Sequence, residues 1–113
     1  MPDDCLFCRI VRGEIPAKIV AETEHCVAFR DIDPKAPVHV LVIPREHVPS
    51  LSEAKDPAVV GRLALLAADI AAREGIAESG YRMVLNTNAD AGQTVFHVHL
   101  HLLGGRRMGW PPG

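Results

Sequence analysis

This chain of 113 residues lacks an excess of charge of either sign: 12 Lys and Arg stand against 14 Asp and Glu, a formal net charge of −2. That balance argues against gripping nucleic acid by a basic surface, although a local site can still hold a phosphate. Apolar runs of membrane-spanning length are missing as well, which excludes a membrane helix. The start, "MPDDCLFCRI", is acidic and has neither the basic flank nor the apolar centre of a secretory signal, so the expected location is cytoplasmic. Cysteines number three, Cys5, Cys8 and Cys26, an odd count unsuited to a disulfide framework. Repeats, low-complexity segments and linkers are absent, and the length fits one domain over residues 1–113. What is present is ordinary globular material, 48% hydrophobic and 23% charged, which favours one buried core over disorder.

Periodicity supplies the elements. "DDCLFCRIVRGEIP" reads as a short helix capped by Asp3 or Asp4 and stopped by Gly13 and Pro16. "KIVAETEHCVAFRDI" reads as two strands joined at "ETEH", and "VHVLVIP" as a third strand ended by Pro44. After Asp56 the period changes. Val59, Leu63, Leu66 and Ile70, with Val60 and Ala67 beside them, make one apolar face of a helix. Asp56 suits its N-cap, Pro57 its first position and Gly75 a left-handed stop. "YRMVLNTN" and "TVFHVHLHLL" read as two more strands around the loop "ADAGQ". The order predicts an α+β fold: an antiparallel sheet of about five strands, one long helix and one short.

The chemistry concentrates in "FHVHLHLL". If residues 95–103 are extended, Val98, Leu100 and Leu102 face the core. His97, His99 and His101 then face the other way, about 6–7 Å apart at a rise of about 3.3 Å per residue. Such a row either lines a pocket or binds metal, unless it is merely a solvated, histidine-rich face. Neutral imidazole is a nucleophile or a metal ligand; protonated, it steadies an anion and donates a proton. Around a phosphate, one ring attacks while its neighbours bind oxygens. His39 in "VHVLVIP" is another polar residue on an apolar strand, either part of that pocket or a satisfied half-buried histidine. Before the triple, Gly92 lets backbone N–H groups approach a phosphate, and Gln93 and Thr94 add donors. Asp31 in "FRDIDP" can accept from ribose hydroxyls. "CLFC" is a redox pair, half a metal site or two core thiols. It does not follow a strand of a βαβ unit, which disfavours redox. Cys26 reads as core and His25 as surface turn.

"HVHLHLL" fits, at every position, the His-φ-His-φ-His-φ-φ motif of the histidine triad (HIT) superfamily, φ being apolar. Together with "GEIPAKIV", "FRDIDPKAPVHVLVIP", "GYRMVLN", "LGGR" and "WPPG", the chain resembles the Hint branch, the histidine triad nucleotide-binding proteins, over nearly its whole length. Gly104 stands where the fragile-histidine-triad branch usually has proline. The resemblance implies a HIT-like fold in a homodimer whose sheets join across a two-fold axis. It implies hydrolysis of purine nucleoside phosphoramidates through a covalent nucleotidyl-histidine, with no cofactor needed for catalysis. His99 matches the nucleophile; His101, His97 and His39 complete the catalytic set, with His101 and His39 on phosphoryl oxygens. Asp31 matches the ribose-binding acid and Ile32 a base contact. Asn86, Gly92, Gln93 and Thr94 match phosphate- and leaving-group positions. Trp110 lies on a tail that reaches toward the partner's site. Bacterial relatives that share the Cys-x-x-Cys pair join it to two histidines at a structural zinc. Here that set is Cys5, Cys8, His47 and His97, a Cys₂His₂ tetrahedron. The alternatives are a dinucleoside polyphosphate hydrolase or nucleotidyl transferase, and a largely non-catalytic nucleotide- and zinc-binding module.

Overall fold

A computed structural model describes residues 3–113. Helix α1 spans Leu6–Val11, and strands β1 (Ile19–Glu22), β2 (Cys26–Arg30) and β3 (Val38–Pro44) follow. The long helix α2 (Pro57–Arg73) comes next, then β4 (Tyr81–Val84) and β5 (Leu100–Gly104). One antiparallel sheet holds all five strands in the order β1-β2-β3-β5-β4, so the last strand enters between β3 and β4. This is the α+β arrangement that the alternation of strand and helix signals predicts.

The signals at α2 are local, and the helix obeys them. Asp56 accepts from the Ala58 N–H at 2.9 Å, Pro57 opens the helix, and Gly75 adopts φ +76° just beyond it. Its apolar residues Leu63, Leu66, Ala67 and Ile70 are buried against one face of the sheet, on Val40, Val42, Val98, Leu100 and Leu102, and Val59 in its first turn is buried as well. The opposite face carries a second cluster of Val27, Phe29, Leu41 and Ile43, covered by Phe7 from α1. The two faces therefore bury separate cores, and the histidines lie on the second face.

Two local expectations are corrected. The cap of α1 is neither Asp3 nor Asp4 but Cys5, whose Sγ accepts from the Cys8 N–H at 3.4 Å; the helix begins at Leu6, leaving both aspartates in the preceding turn. The last strand is also shorter than residues 95–103. Its ladder with β3 ends at the pair Val42–Leu100. The next partner in step is Pro44, which has no N–H to give. Val98 bonds instead to the Val48 carbonyl at 2.6 Å. His97 and His99 thus precede the strand, yet alternation survives: Val98, Leu100 and Leu102 all reach the α2 side.

Candidate active site

His39 near the start of β3 and His101 near the start of β5 project from the same sheet face, with Leu41 directly opposite His101. His99 stands just before β5, and the three rings line one cleft of about 960 Å³. That volume suits a ligand the size of a nucleotide. Asp31, beside the His39 ring, and Thr94 also line the cleft, while Leu6, Phe7, Ile10, Phe29 and Leu41 give it an apolar wall. Ile32, fully exposed, stands at the rim.

Hydrogen bonds assign the protons. The Lys35 N–H donates to His39 Nδ1 at 3.0 Å, so a neutral His39 carries its proton on Nε2. That Nε2–H donates to His101 Nδ1 at 2.9 Å, which leaves the proton of a neutral His101 on its own Nε2. Asp31 Oδ2 lies 3.5 Å from the same His39 nitrogen and favours this arrangement, and its Oδ1 accepts from the Asp33 N–H at 2.8 Å. His99 is fixed from another direction. Its Nδ1–H donates to the His97 carbonyl at 2.8 Å, leaving a lone pair on Nε2. At one end of the cleft, therefore, an unprotonated ring nitrogen stands beside a ring N–H.

The surroundings keep these rings neutral. Burial pushes His101 down to about 4, helped by the neighbouring His99 and His39. Burial also lowers His99, against the opposing pull of its bond to the His97 carbonyl and the Asp31 charge. His39 is lowered by burial too, with Asp31 acting the other way. Neutral imidazole is the form that attacks.

His97 belongs elsewhere. It is wholly buried, and its Nε2–H donates to the Pro44 carbonyl at 2.8 Å, turning Nδ1 toward the cysteines. Cys5 Sγ and Cys8 Sγ each lie 3.5 Å from that Nδ1, and Cys8 Sγ lies 3.3 Å from His47 Nδ1. An ideal tetrahedron with Zn–S about 2.3 Å and Zn–N about 2.0 Å has S···N edges of about 3.5 Å. The four ligand atoms thus fit a zinc ion, and the Pro44 bond is the outer contact that orients a metal-binding histidine. Burial pushes His97 down to about 4, keeping it the neutral ring a metal needs. Burial and Cys5 push the Cys8 thiol up to about 11, so its ionisation calls for a bound cation. Asp31, His39 and His101 also bring ligand atoms within 4.8 Å of one another. There the Lys35 N–H occupies His39 Nδ1 and forces the proton onto Nε2, so that group is a hydrogen-bond relay and not a metal site.

The remaining expected residues separate. Thr94 is exposed and reaches the cleft. Gln93 is buried with its side chain fully engaged: Nε2 donates to the Pro49 and Val95 carbonyls, and Oε1 accepts from the Asn88 N–H. It shapes the loop and offers the cleft no donor. Gly92 takes φ +84° at the end of one 3₁₀ turn, and half-buried Asn86 follows β4; neither lines the cleft. Trp110 is 83% exposed on the tail, with the Arg82 guanidinium 5.9 Å from its ring centre. Cys26 is buried among core residues and His25 is exposed, as expected. Sequence reasoning missed Phe7, whose ring lies edge-on to His99, 5.0 Å between centroids, and to His97 at 6.0 Å. A signal existed: Phe7 stands between the two cysteines of the proposed metal set.

Residues 12–108 match the HIT domain family model. An uncharacterized HIT-like protein of Synechocystis is 52% identical over 115 aligned positions, covering all of both chains. A purine nucleoside phosphoramidase of Escherichia coli is 47% identical over 111 positions, 96% of this chain and 93% of that one. Among solved structures, a HIT family hydrolase from Legionella pneumophila superposes with a TM-score of 0.95 at 48% identity, covering 97% of this chain and all of the other.

Proposed function

The chain belongs to the HIT domain family, and from that premise we propose that it hydrolyses purine nucleoside phosphoramidates through a nucleotidyl intermediate on His99. The observation that carries this reading is the His99 tautomer: with Nδ1–H held by the His97 carbonyl, Nε2 has a free lone pair at the cleft. The phosphoramidase name of the Escherichia coli relative supports the substrate class.

The base and ribose lie along the apolar wall, with Asp31 accepting from ribose hydroxyls and Ile32 at the base edge. His99 Nε2 attacks the α-phosphorus and an Nε2–P bond forms. The P–N bond breaks, and the amine leaves with a proton taken from solvent by way of the Thr94 hydroxyl. His101 donates from Nε2 to a phosphoryl oxygen, where charge develops. Its tautomer is held by His39, which Asp31 and the Lys35 N–H orient. Water then attacks phosphorus, the Nε2–P bond breaks, its proton passes to solvent, and the nucleoside monophosphate departs. No step calls on a metal. Cys5, Cys8, His47 and His97 hold a zinc ion whose role is structural, and His97 serves catalysis through its carbonyl alone.

The protein works as a homodimer. The free edge of β4 at the end of the sheet lets the sheet continue into a second copy. The exposed tail with Trp110 then serves the partner's cleft.

The test is His99→Ala with adenosine 5′-phosphoramidate as substrate. AMP release should fall by orders of magnitude, and alkaline quench of the native enzyme, which spares a P–N bond, should trap a phosphorus-linked adduct on the peptide containing His99. Turnover near the native rate would remove the reading.

A further inference from the structure

Leu6 and Phe7 lie between Cys5 and Cys8, and both side chains wall the apolar half of the cleft. Ile10, one turn further on, adds to the same wall. Their helix, α1, has six residues. A helix this short has little stability of its own, so its position is set by its attachments. One attachment is the cysteine–histidine cluster, with Sγ to Nδ1 distances of 3.3 and 3.5 Å. The other is the Phe7 ring, edge-on to Phe29, His97 and His99. His97 extends the connection: its ring belongs to the cluster, and its carbonyl fixes the His99 tautomer. The apolar wall and the attacking ring therefore share their anchorage with the four ligand atoms.

We infer that metal binding at Cys5, Cys8, His47 and His97 and nucleotide binding in the cleft are coupled, each tightening the other although they share no atom. This rests on the nucleotide reading above. A nucleotide packed against Leu6 and Phe7 favours the helix position that brings both thiols toward the two Nδ1 atoms. A metal that gathers the four ligands holds the wall where the nucleotide needs it. Linkage makes the two effects equal. Phe7 is the positioning residue between the sites, because its ring meets His97 and His99 together.

The experiment measures Zn²⁺ affinity by chelator competition, with and without saturating AMP. AMP should tighten Zn²⁺ by about 5-fold or more, within the range of about 5–150-fold usual for coupled sites. Equal Zn²⁺ affinities within twofold, or no metal binding at all, overturn the inference. Co²⁺-loaded protein gives a readout that needs no metal-free state. AMP should shift the visible absorption of the cobalt ion, and an unchanged spectrum at saturation counts as refutation. Phe7→Leu keeps every ligand, so it should retain one Co²⁺ per chain and show a smaller AMP-induced shift. An undiminished shift overturns the route through this ring. Calorimetry of AMP with the loaded protein separates the two readings: no AMP binding removes the nucleotide reading itself, and binding without coupling removes this inference alone.

Discussion

Replacing His39 by phenylalanine preserves a ring in a site that is 5% exposed and removes both of its nitrogens. Two hydrogen bonds go with them: Lys35 N–H to Nδ1 at 3.0 Å, and Nε2–H to His101 Nδ1 at 2.9 Å. The second loss matters for catalysis. Without a donor opposite Nδ1, His101 is free to take the other tautomer and turn a lone pair toward the phosphoryl oxygen. A partly buried group left without its partner costs about 1–3 kcal/mol. Expressed at the transition state, that is about a 5–150-fold loss in kcat/KM. It should fall on kcat, because the His101 bond strengthens as charge develops on oxygen. Stability should drop less, by about 1 kcal/mol, since Lys35 is exposed and its freed N–H can meet water. Steady-state kinetics with adenosine 5′-phosphoramidate check the rate, and ¹⁵N chemical shifts of the His101 ring check the tautomer. His39→Gln, whose amide can still donate to His101, should recover part of the activity. The reasoning is refuted if His39→Phe folds and keeps kcat within twofold, or if its whole loss lies in KM.

Other consequences follow from the same structure. Gly104→Ala places a Cβ 2.4 Å from Ile76 Cδ1 and 3.2 Å from its Cβ, and such overpacking should lower stability by about 1–3 kcal/mol in urea denaturation. Gln93→Leu removes three bonds from a buried loop side chain and should cost about 2–4 kcal/mol by the same measurement, with turnover impaired through Thr94. His101 sits at about 4 against an ordinary 6.5, so the unfolded chain binds its proton first. Its contribution to stability is whole above pH 6.5 and is lost as pH falls toward 4, at most about 3 kcal/mol and less for a half-buried ring. Denaturation of His101→Asn across that window should show a shallower slope than the native chain. Removing Trp110 and the residues after it should leave monomer stability within about 0.5 kcal/mol, and lower kcat/KM if the tail serves a second subunit's cleft.

What the sequence made legible was local. The boundaries of α2 followed from Asp56, Pro57 and Gly75 acting on their own neighbours, and the extent of β3 from Val38 to Pro44. The inward set Val98, Leu100 and Leu102 followed from alternation alone. What stayed hidden depended on distant residues. The late start of β5 comes from the missing N–H of Pro44 in the neighbouring strand, which no reading of "TVFHVHLHLL" contains. The side chain of Gln93 looks like a free donor until the Pro49 carbonyl claims it. His47 was named only through the resemblance, since nothing in "PREH" itself shows that the bend after β3 carries it to Cys8. Phe7 read as an ordinary helix residue because its neighbours, His97 and His99, are ninety residues away in sequence and meet it only across the second sheet face.

The position of β5 has a consequence for how the protein is made. On the ribosome, β3 emerges long before the strand that will lie beside it, and β4 emerges with no neighbour to pair with. Only when residues 100–104 leave the exit tunnel can the sheet be completed through its middle. His39 waits until then for the ring of His101. A chain interrupted by a premature stop before Leu100 lacks its central seam, and with it any assembled centre. Synthesis through Gly104 is thus built into the topology as a condition for reactivity, and a product cut short of it offers proteases an unfinished sheet in place of a slow enzyme.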